Sequence, residues 1–412
     1  MKPTLNIMHI LVITQYFWPE QFRINDLVLG LKEKGHQVTV LTGKPNYPKG
    51  KFYEGYNFWN KKFEIWNDVN IYRSAIIPRG KGGSLRLALN YLSFSFLSLI
   101  TAFIIKKRPD VIFVYEPSPV TVGFPAILSK WRFKSPIYFW VQDIWPDSIA
   151  SAGNVNSPAI LNVLEKVTRW IYSKCDKVLI QSRGFEERIL SQNVPKSKIV
   201  YFPNWTESYY VPVIKDEKYS QYFGKGFNLV FAGNIGESQD FETLVECAAI
   251  VYRMNQEIFW TIIGDGRMKE AVQARVSEQG LDKVFKMIGS FPSEEMPAFF
   301  SHADALVVSL KKDPLFAITI PSKIQSYLAC GRPIITSLDG EGSRIVAEAE
   351  AGLVSEAGNP ESLARVIVDF VNLDSQIRQQ MGKKAYNYYQ EKFERNMLIE
   401  KLIELFKNHP NG

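Results

Sequence analysis

HILVITQYFWPEQFRINDLVLGLKEKGHQVTVLTG, residues 9–43, is the stretch on which the fold is read. HILVITQYF is a short run rich in β-branched and aromatic residues, which predicts a buried strand. Residues 23–34 carry apolar positions at helical spacing and stop at Gly35, where a glycine ends a helix without a Cβ penalty. QVTVLTG then returns to a strand. One strand, one helix and a second strand in about 35 residues make a βαβ unit, which implies parallel strands.

The same rhythm continues outward. Strands are expected at 111–115, 137–141, 177–181 and 199–202, and in the second half at FWTIIGDG (259–266), VFKMIGSF (284–291), ALVVSL (305–310), PIITSL (333–338) and AGLV (351–354). Between them, residues 203–216 lose periodicity and fill with Pro, Asn and aromatic residues, so the domain boundary is placed there. A chain of 412 residues is too long for one core. The expected architecture is α/β with two Rossmann-like domains, residues 1–207 and 208–385, and a C-terminal helical stretch 386–412 packing back on the first. The helix near Arg395–Lys407 makes that return.

Composition narrows the chemistry. Cys175, Cys247 and Cys330 are far apart, and the four histidines form no cluster, which argues against a zinc site and leaves no metal ligand set to name. The apolar run from His9 is too short for a signal peptide, so a cytoplasmic location is expected, with residues 1–7 as an extension before the first strand. The net charge of +7 admits nucleic acid, an anionic membrane or a phosphate-bearing substrate. The basic residues are scattered and match no nucleic-acid module, so no nucleic-acid partner is expected. A GxGxxG fingerprint is missing, which counts against a dinucleotide cofactor.

In a doubly wound sheet the loops after the strands carry the ligands. In the first half these hold Tyr16, Trp18 and Glu20, then Asn46 and Tyr47, then Glu116, then Asp143, Trp145 and Asp147. Flat rings beside acceptor oxygens suit sugars. Trp145 also reads as a core residue, and Asp143 and Asp147 as helix caps. In the second half the loops are Gly233-Asn234-Ile235-Gly236, Gly264-Asp265-Gly266-Arg267, Gly289-Ser290-Phe291, and the start of IPSKIQSYLACGRPII (320–335). There Ser322 and Lys323 open a short helix, where free N–H groups and a positive dipole end suit a diphosphate. The same two residues also read as a Ser N-cap followed by a solvated lysine.

Residues 85–105 are apolar apart from Arg86, Asn90, Thr101 and several serines. Length allows a membrane span, but the run feeds into KKRPD and the strand at 111, so a crossover helix is preferred. Arg86, Asn90, Ser93 and Thr101 are expected to form a narrow wet stripe. The remaining apolar surface, flanked by Arg79, Lys81, Arg86, Lys106, Lys107 and Arg108, suits shallow insertion into an anionic leaflet; a wholly buried helix is the other reading.

Taken in order, HILVITQYFWPE, KGHQVTVLTGKPNYPKG, FVYEPSPVTVG, FWVQDIWPDSI, YFPNW, FAGNIG, IIGDG and PSKIQSYLACGRPII resemble bacterial family 4 glycosyltransferases of the GT-B fold, especially WbuB-type O-antigen and capsule enzymes that transfer N-acetyl-L-fucosamine. The resemblance covers essentially the whole chain. It implies two Rossmann-like domains facing across a cleft, with a UDP-sugar held by the second domain and a polyprenyl-diphosphate-linked oligosaccharide by the first, at the inner face of the cell membrane. By position, Gly233, Asn234, Gly236, Ser322 and Lys323 would surround the diphosphate and the loop at Gly289 to Phe291 would meet the base, with Gly264 also among the donor-binding residues. Asp143 and Glu116 would face the transferred sugar and acceptor, and Tyr16, Trp18, Glu20, Asn46, Tyr47 and Trp145 the acceptor. The family is generally metal-independent, with no cofactor besides the donor, so Lys323 would stabilise the departing diphosphate. Two family glutamates are replaced here by Ile318 and Ser326, which leaves Ser326 in the ribose position, and Asp240 stands where a small residue is usual. A UDP-sugar epimerase on the same architecture and a non-catalytic scaffold subunit are the competing readings.

Overall fold

The computed structural model describes residues 7–80, 83–151, 155, 157–254 and 257–409. Residues 1–6 of the expected extension and Lys81 lie outside the described residues. Contacts divide the chain into two compact units, residues 1–202 with 399–412, and residues 203–398.

The first unit is built on eight strands: β1 His9–Ile13, β2 Gln37–Gly43, β3 Phe63–Trp66, β4 Val69–Ser74, β5 Val111–Glu116, β6 Ile137–Val141, β7 Lys177–Ile180 and β8 Ile199–Tyr201. Their order is β3-β4-β2-β1-β5-β6-β7-β8. All neighbours are parallel except β3 and β4. Chain order reverses between β1 and β5, which makes their carboxyl ends the switch point where a ligand crevice forms. The β3–β4 hairpin has no counterpart among the expected strands. It turns through Asn67 and Asp68, at φ +46° and +58°, the left-handed pair of a two-residue hairpin.

The second unit has six strands: β9 Phe227–Ala232, β10 Ile258–Ile263, β11 Phe285–Gly289, β12 Ala305–Ser309, β13 Ile334–Ser337 and β14 Gly352–Ser355. They run parallel in the order β11-β10-β9-β12-β13-β14, so the switch point lies between β9 and β12. Leu229 and Phe231 of β9 enter one apolar cluster, Val230 and Ala232 another, so helices cover both faces of the sheet. That explains why these strands read as continuous apolar runs.

Position 386, expected to begin the returning segment, falls inside the helix Ser375–Lys392 of the second unit. The return is made later, by the helix Arg395–Lys407, whose residues from Ile399 belong to the first unit. Ile399, Leu402 and Phe406 are buried. Phe406 packs edge-on against Phe113 and Tyr138, at 5.9 and 4.9 Å. The apolar i, i+3, i+7 spacing of that helix is thus used against β5 and β6.

The helix Ser84–Ile104 is the crossover from β4 to β5. The expected wet stripe is only half present: Arg86 is exposed and Ser93 half-buried, but Asn90 and Thr101 are buried, as are Ser95 and Ser98. Partners wait inside: Asn90 Nδ2 donates to Ile77 O at 2.6 Å and Ser95 Oγ to Thr121 Oγ1 at 2.6 Å. Phe94 and Ala102 join them inside, but one apolar flank faces outward, with Leu85, Phe96 and Ile100 at 77%, 60% and 62% exposure.

Candidate active site

The four predicted loops of the second unit converge at the carboxyl ends of its strands around a cavity of about 740 Å³. Gly233, Asn234, Gly264, Phe291, Ser322, Lys323 and Ser326 line it. Gly233 has φ +149°, and a Cβ there would lie 2.5 Å from Lys323 Cε. Gly264 has φ +146° and a Cβ there would run into Gly233 O. Glycine at both positions lets two loops and the lysine stem share one corner.

Lys323 is not a solvated lysine. Its Nζ sits 4.2 Å from the centre of the Phe231 ring and donates to the side-chain oxygen of Gln239. Burial lowers its pKa to about 7. Ser322 is not the cap either: Pro321 holds the N-cap position of the helix Ser322–Ala329 and makes no side-chain cap bond. What this corner lacks among the described residues is a carboxylate partner for the ammonium. An oxyanion would supply one.

Two expected residues stand off. Gly236 does not line this cavity; it gives room to Asn234, whose amide nitrogen a Cβ would meet. Gly289 also stays out, at φ +88°, its carbonyl accepting from Gly264 N at 2.8 Å, so it fixes the neighbouring loop. Ser326 reaches the cavity with Thr206 Oγ1 2.8 Å from its hydroxyl. Asp240 turns away from the cavity: its carboxylate accepts from Thr243 Oγ1 at 2.7 Å at the start of the helix Phe241–Met254. Gln239 was not foreseen, since only the fold brings it to Lys323.

The first unit carries its own cavity, about 290 Å³, at the β1/β5 switch point. Tyr16, Tyr47, Asp143 and Trp145 line it, as the loops implied. Trp145 is both core and wall: 3% exposed, with its indole N–H donating to Ser118 Oγ at 2.9 Å. Burial raises Asp143 to about 7, so near neutrality this carboxyl can hold or release a proton. Asp147 is a structural residue, paired with Arg188 at 2.5 Å.

Four expected contacts need correction. Glu116, the last residue of β5, is fully buried and does not line the cavity. Burial, then the neighbouring Asp143, pushes its carboxyl well above the usual carboxylate range, against the opposing pull of the Asp143 and Gln142 backbone N–H groups. It stands behind Asp143, which does line the cavity. Glu20 is 1% exposed and clamps two loops, accepting from Asn46 N at 2.8 Å, Tyr47 N at 2.7 Å and Phe17 N at 3.3 Å. Asn46 is buried, and Trp18 stacks on Trp66 at 5.6 Å. In their place the cavity takes Phe22, Arg79, Leu87 and Tyr91, from segments whose approach no loop pattern signals.

Each unit thus offers a strand-end cavity, one with a lysine held by a neutral side chain and one with rings and a carboxyl. The sequence pattern of the "Glycosyl transferases group 1" family matches residues 215–388, and that of the "Glycosyl transferase 4-like domain" matches residues 21–205. The chain is a family 4 glycosyltransferase of the GT-B fold. It is 25% identical over 340 residues, 79% of this chain and 82% of the other, to WcaI of Escherichia coli (strain K12), a protein assigned to colanic acid biosynthesis as a glycosyl transferase. Among solved structures, this glycosyltransferase is similar to a sucrose-phosphate synthase from Thermosynechococcus elongatus, with a TM-score of 0.75 and 17% identity over 97% of this chain and 98% of that one. It is likewise similar to HepE of Anabaena in complex with UDP and glucose, with a TM-score of 0.70 and 13% identity, covering 98% and 100% of the two chains.

Proposed function

We propose that this glycosyltransferase moves a sugar from a UDP-sugar to a lipid-linked oligosaccharide during assembly of a surface polysaccharide, O-antigen or capsule, at the inner face of the cell membrane. The observation that carries the reading is Lys323, a half-buried lysine with a neutral partner, packed against Gly233 at the start of the helix Ser322–Ala329. As the glycosidic C–O bond to the diphosphate breaks, negative charge grows on the leaving oxygen. A preplaced ammonium and helix-start amides stabilise that charge more than the ground state and so lower the barrier, without a metal or further cofactor. Asp143, which lines the first unit's cavity with a pKa raised to about 7, is the group proposed to take the proton of the acceptor hydroxyl. Support for UDP comes from the HepE complex, and for polysaccharide assembly from the role assigned to WcaI. N-acetyl-L-fucosamine is the first donor sugar to test, on the resemblance to WbuB-type enzymes.

The outward apolar flank of the helix Ser84–Ile104 supports the membrane half of the proposal. Leu85, Leu89, Leu92, Phe96, Ile100 and Phe103 are all exposed on one side, with Arg86 in the first turn and Lys106, Lys107 and Arg108 after the last. An apolar stripe ended by cations suits the interface of an anionic leaflet, rings and methyls among the acyl chains and cations at the headgroups.

Calorimetric titration with UDP, GDP, ADP, CDP and dTDP tests the donor site. UDP alone should bind in the micromolar range, and Lys323→Ala should weaken it by at least about tenfold, in line with loss of a charge-assisted contact. Binding of none of the five would remove the donor assignment and favour a scaffold subunit.

A further inference from the structure

Arg79 lines the first unit's cavity with a guanidinium that, among the described residues, has neither a carboxylate nor a carbonyl to receive its donors. Its guanidinium carbon lies 5.3 Å from the centre of the Tyr47 ring and 6.0 Å from that of Tyr16, so two tyrosine faces set its direction. Asp143 shares the cavity wall but makes no ion pair with it.

The backbone of Arg79 is held from below by a buried polar network. Asn46 Oδ1 accepts from Arg79 N at 3.1 Å, and Glu20 holds Asn46 N at 2.8 Å. Asn90 Nδ2 grips Ile77 O at 2.6 Å, and Gln15 Nε2 donates to Asn90 Oδ1 at 2.8 Å. Gln15, Glu20, Asn46 and Asn90 are each no more than 1% exposed. Burying four polar side chains is costly unless they bond one another, and apart from the Gln15 side-chain oxygen these do, so the network fixes local geometry. Its product is one arginine presented to an open cavity.

A neutral saccharide gives such a residue little to do. A rigid five-donor fork is matched to an oxyanion. The cavity wall beside it is formed by Leu87 and Tyr91, on the same helix whose other flank is exposed and apolar. We propose that Arg79 binds the phosphate through which the acceptor saccharide is joined to an apolar chain, and so selects lipid-linked acceptors over free saccharides. The assignment rests on the lipid-linked acceptor reading and deepens it by naming the contact.

The test uses the full chain with saturating UDP, which keeps the second unit's phosphate site filled, and farnesyl diphosphate as a soluble probe. The wild type should bind the probe, Arg79→Gln should weaken it at least tenfold, and Arg79→Lys should fall between. Farnesol should bind weakly and equally to all three, and UDP affinity and melting temperature should not change. Equal binding of farnesyl diphosphate by wild type and Arg79→Gln overturns the assignment of Arg79 and leaves the lipid-linked reading intact. A wild type that binds UDP but not the probe overturns both. Inorganic pyrophosphate binding as tightly as farnesyl diphosphate overturns the apolar-chain part. Glucuronate binding to wild type but not to Arg79→Gln, with no response to the probe, overturns the phosphate in favour of a carboxylated acceptor.

Discussion

Lys323 links donor binding to pH. Burial lowers its pKa to about 7 in the free protein, whereas a bound diphosphate favours the charged form and raises it. Below that pH the lysine is charged before UDP arrives; above it, binding must take up a proton. Affinity for UDP should therefore fall above pH 7 by up to about tenfold per pH unit, with proton uptake visible as a buffer-dependent heat. Lys323→Arg, charged throughout, should flatten the profile. Glu20 makes the opposite kind of statement, about stability. Its folded pKa is raised from 4.5 to about 7, chiefly by burial, so its contribution is greatest at low pH and is lost as pH rises through about 7. Glu20→Gln should remove that slope from urea unfolding measured between those limits. Glu20→Ala, which strands the N–H groups of Phe17, Asn46 and Tyr47, should cost about 2–4 kcal/mol. The ring-and-carboxylate composition of these loops is visible in the sequence. That Glu20 is a clamp and Tyr47 a wall is not, because neighbouring loop residues differ only in which way the fold turns them.

The helix Ser84–Ile104 shows the same limit at the scale of an element. Its length and apolar character are plain in the sequence, but its orientation departs from the ordinary surface helix: apart from Phe94 and Ala102 the buried residues are Asn, Ser and Thr, while Leu85, Leu89, Leu92, Phe96, Ile100 and Phe103 face outward. Ser95 and Ser98 allow close approach and find acceptors, and so occupy the side that composition alone assigns to water. Phe96→Glu with Ile100→Glu should leave the melting temperature and UDP affinity near wild type, since both side chains are exposed. In flotation with phosphatidylglycerol vesicles the double variant should lose association by about tenfold or more. Retained association would show that this flank does not meet the bilayer. The β3–β4 hairpin went unread for a different reason. FEIW and VNIYRS are short and mixed, and an Asn-Asp turn is a weaker signal than Asn-Gly, even though both residues adopt the left-handed pair the turn requires.

At the scale of the whole molecule, the chain's end completes its beginning. Ile399, Leu402 and Phe406 are buried in the first unit, against strands that lie some 260–290 positions earlier in sequence. Leu402→Ala should destabilise that unit by about 2–5 kcal/mol, seen as the earlier of two transitions in urea, with UDP affinity in the second unit unchanged. An equal shift of both transitions would show that the two units unfold as one. The alternation of apolar strand runs and helical spacing determined, from sequence alone, two parallel α/β sheets and the loops that end their strands, because backbone periodicity is a local property. It also placed Gly233, Gly264 and Lys323 in one cavity, since strand-end loops of a doubly wound sheet must share an edge. Only the tertiary structure decided which loop residues face ligand and which hold loops together, brought Gln239 to Lys323 and Arg79 to Tyr47, and turned the apolar helix outward. Those outcomes depend on partners tens of residues away, whose packing and hydrogen bonding outweigh any local preference of the side chain.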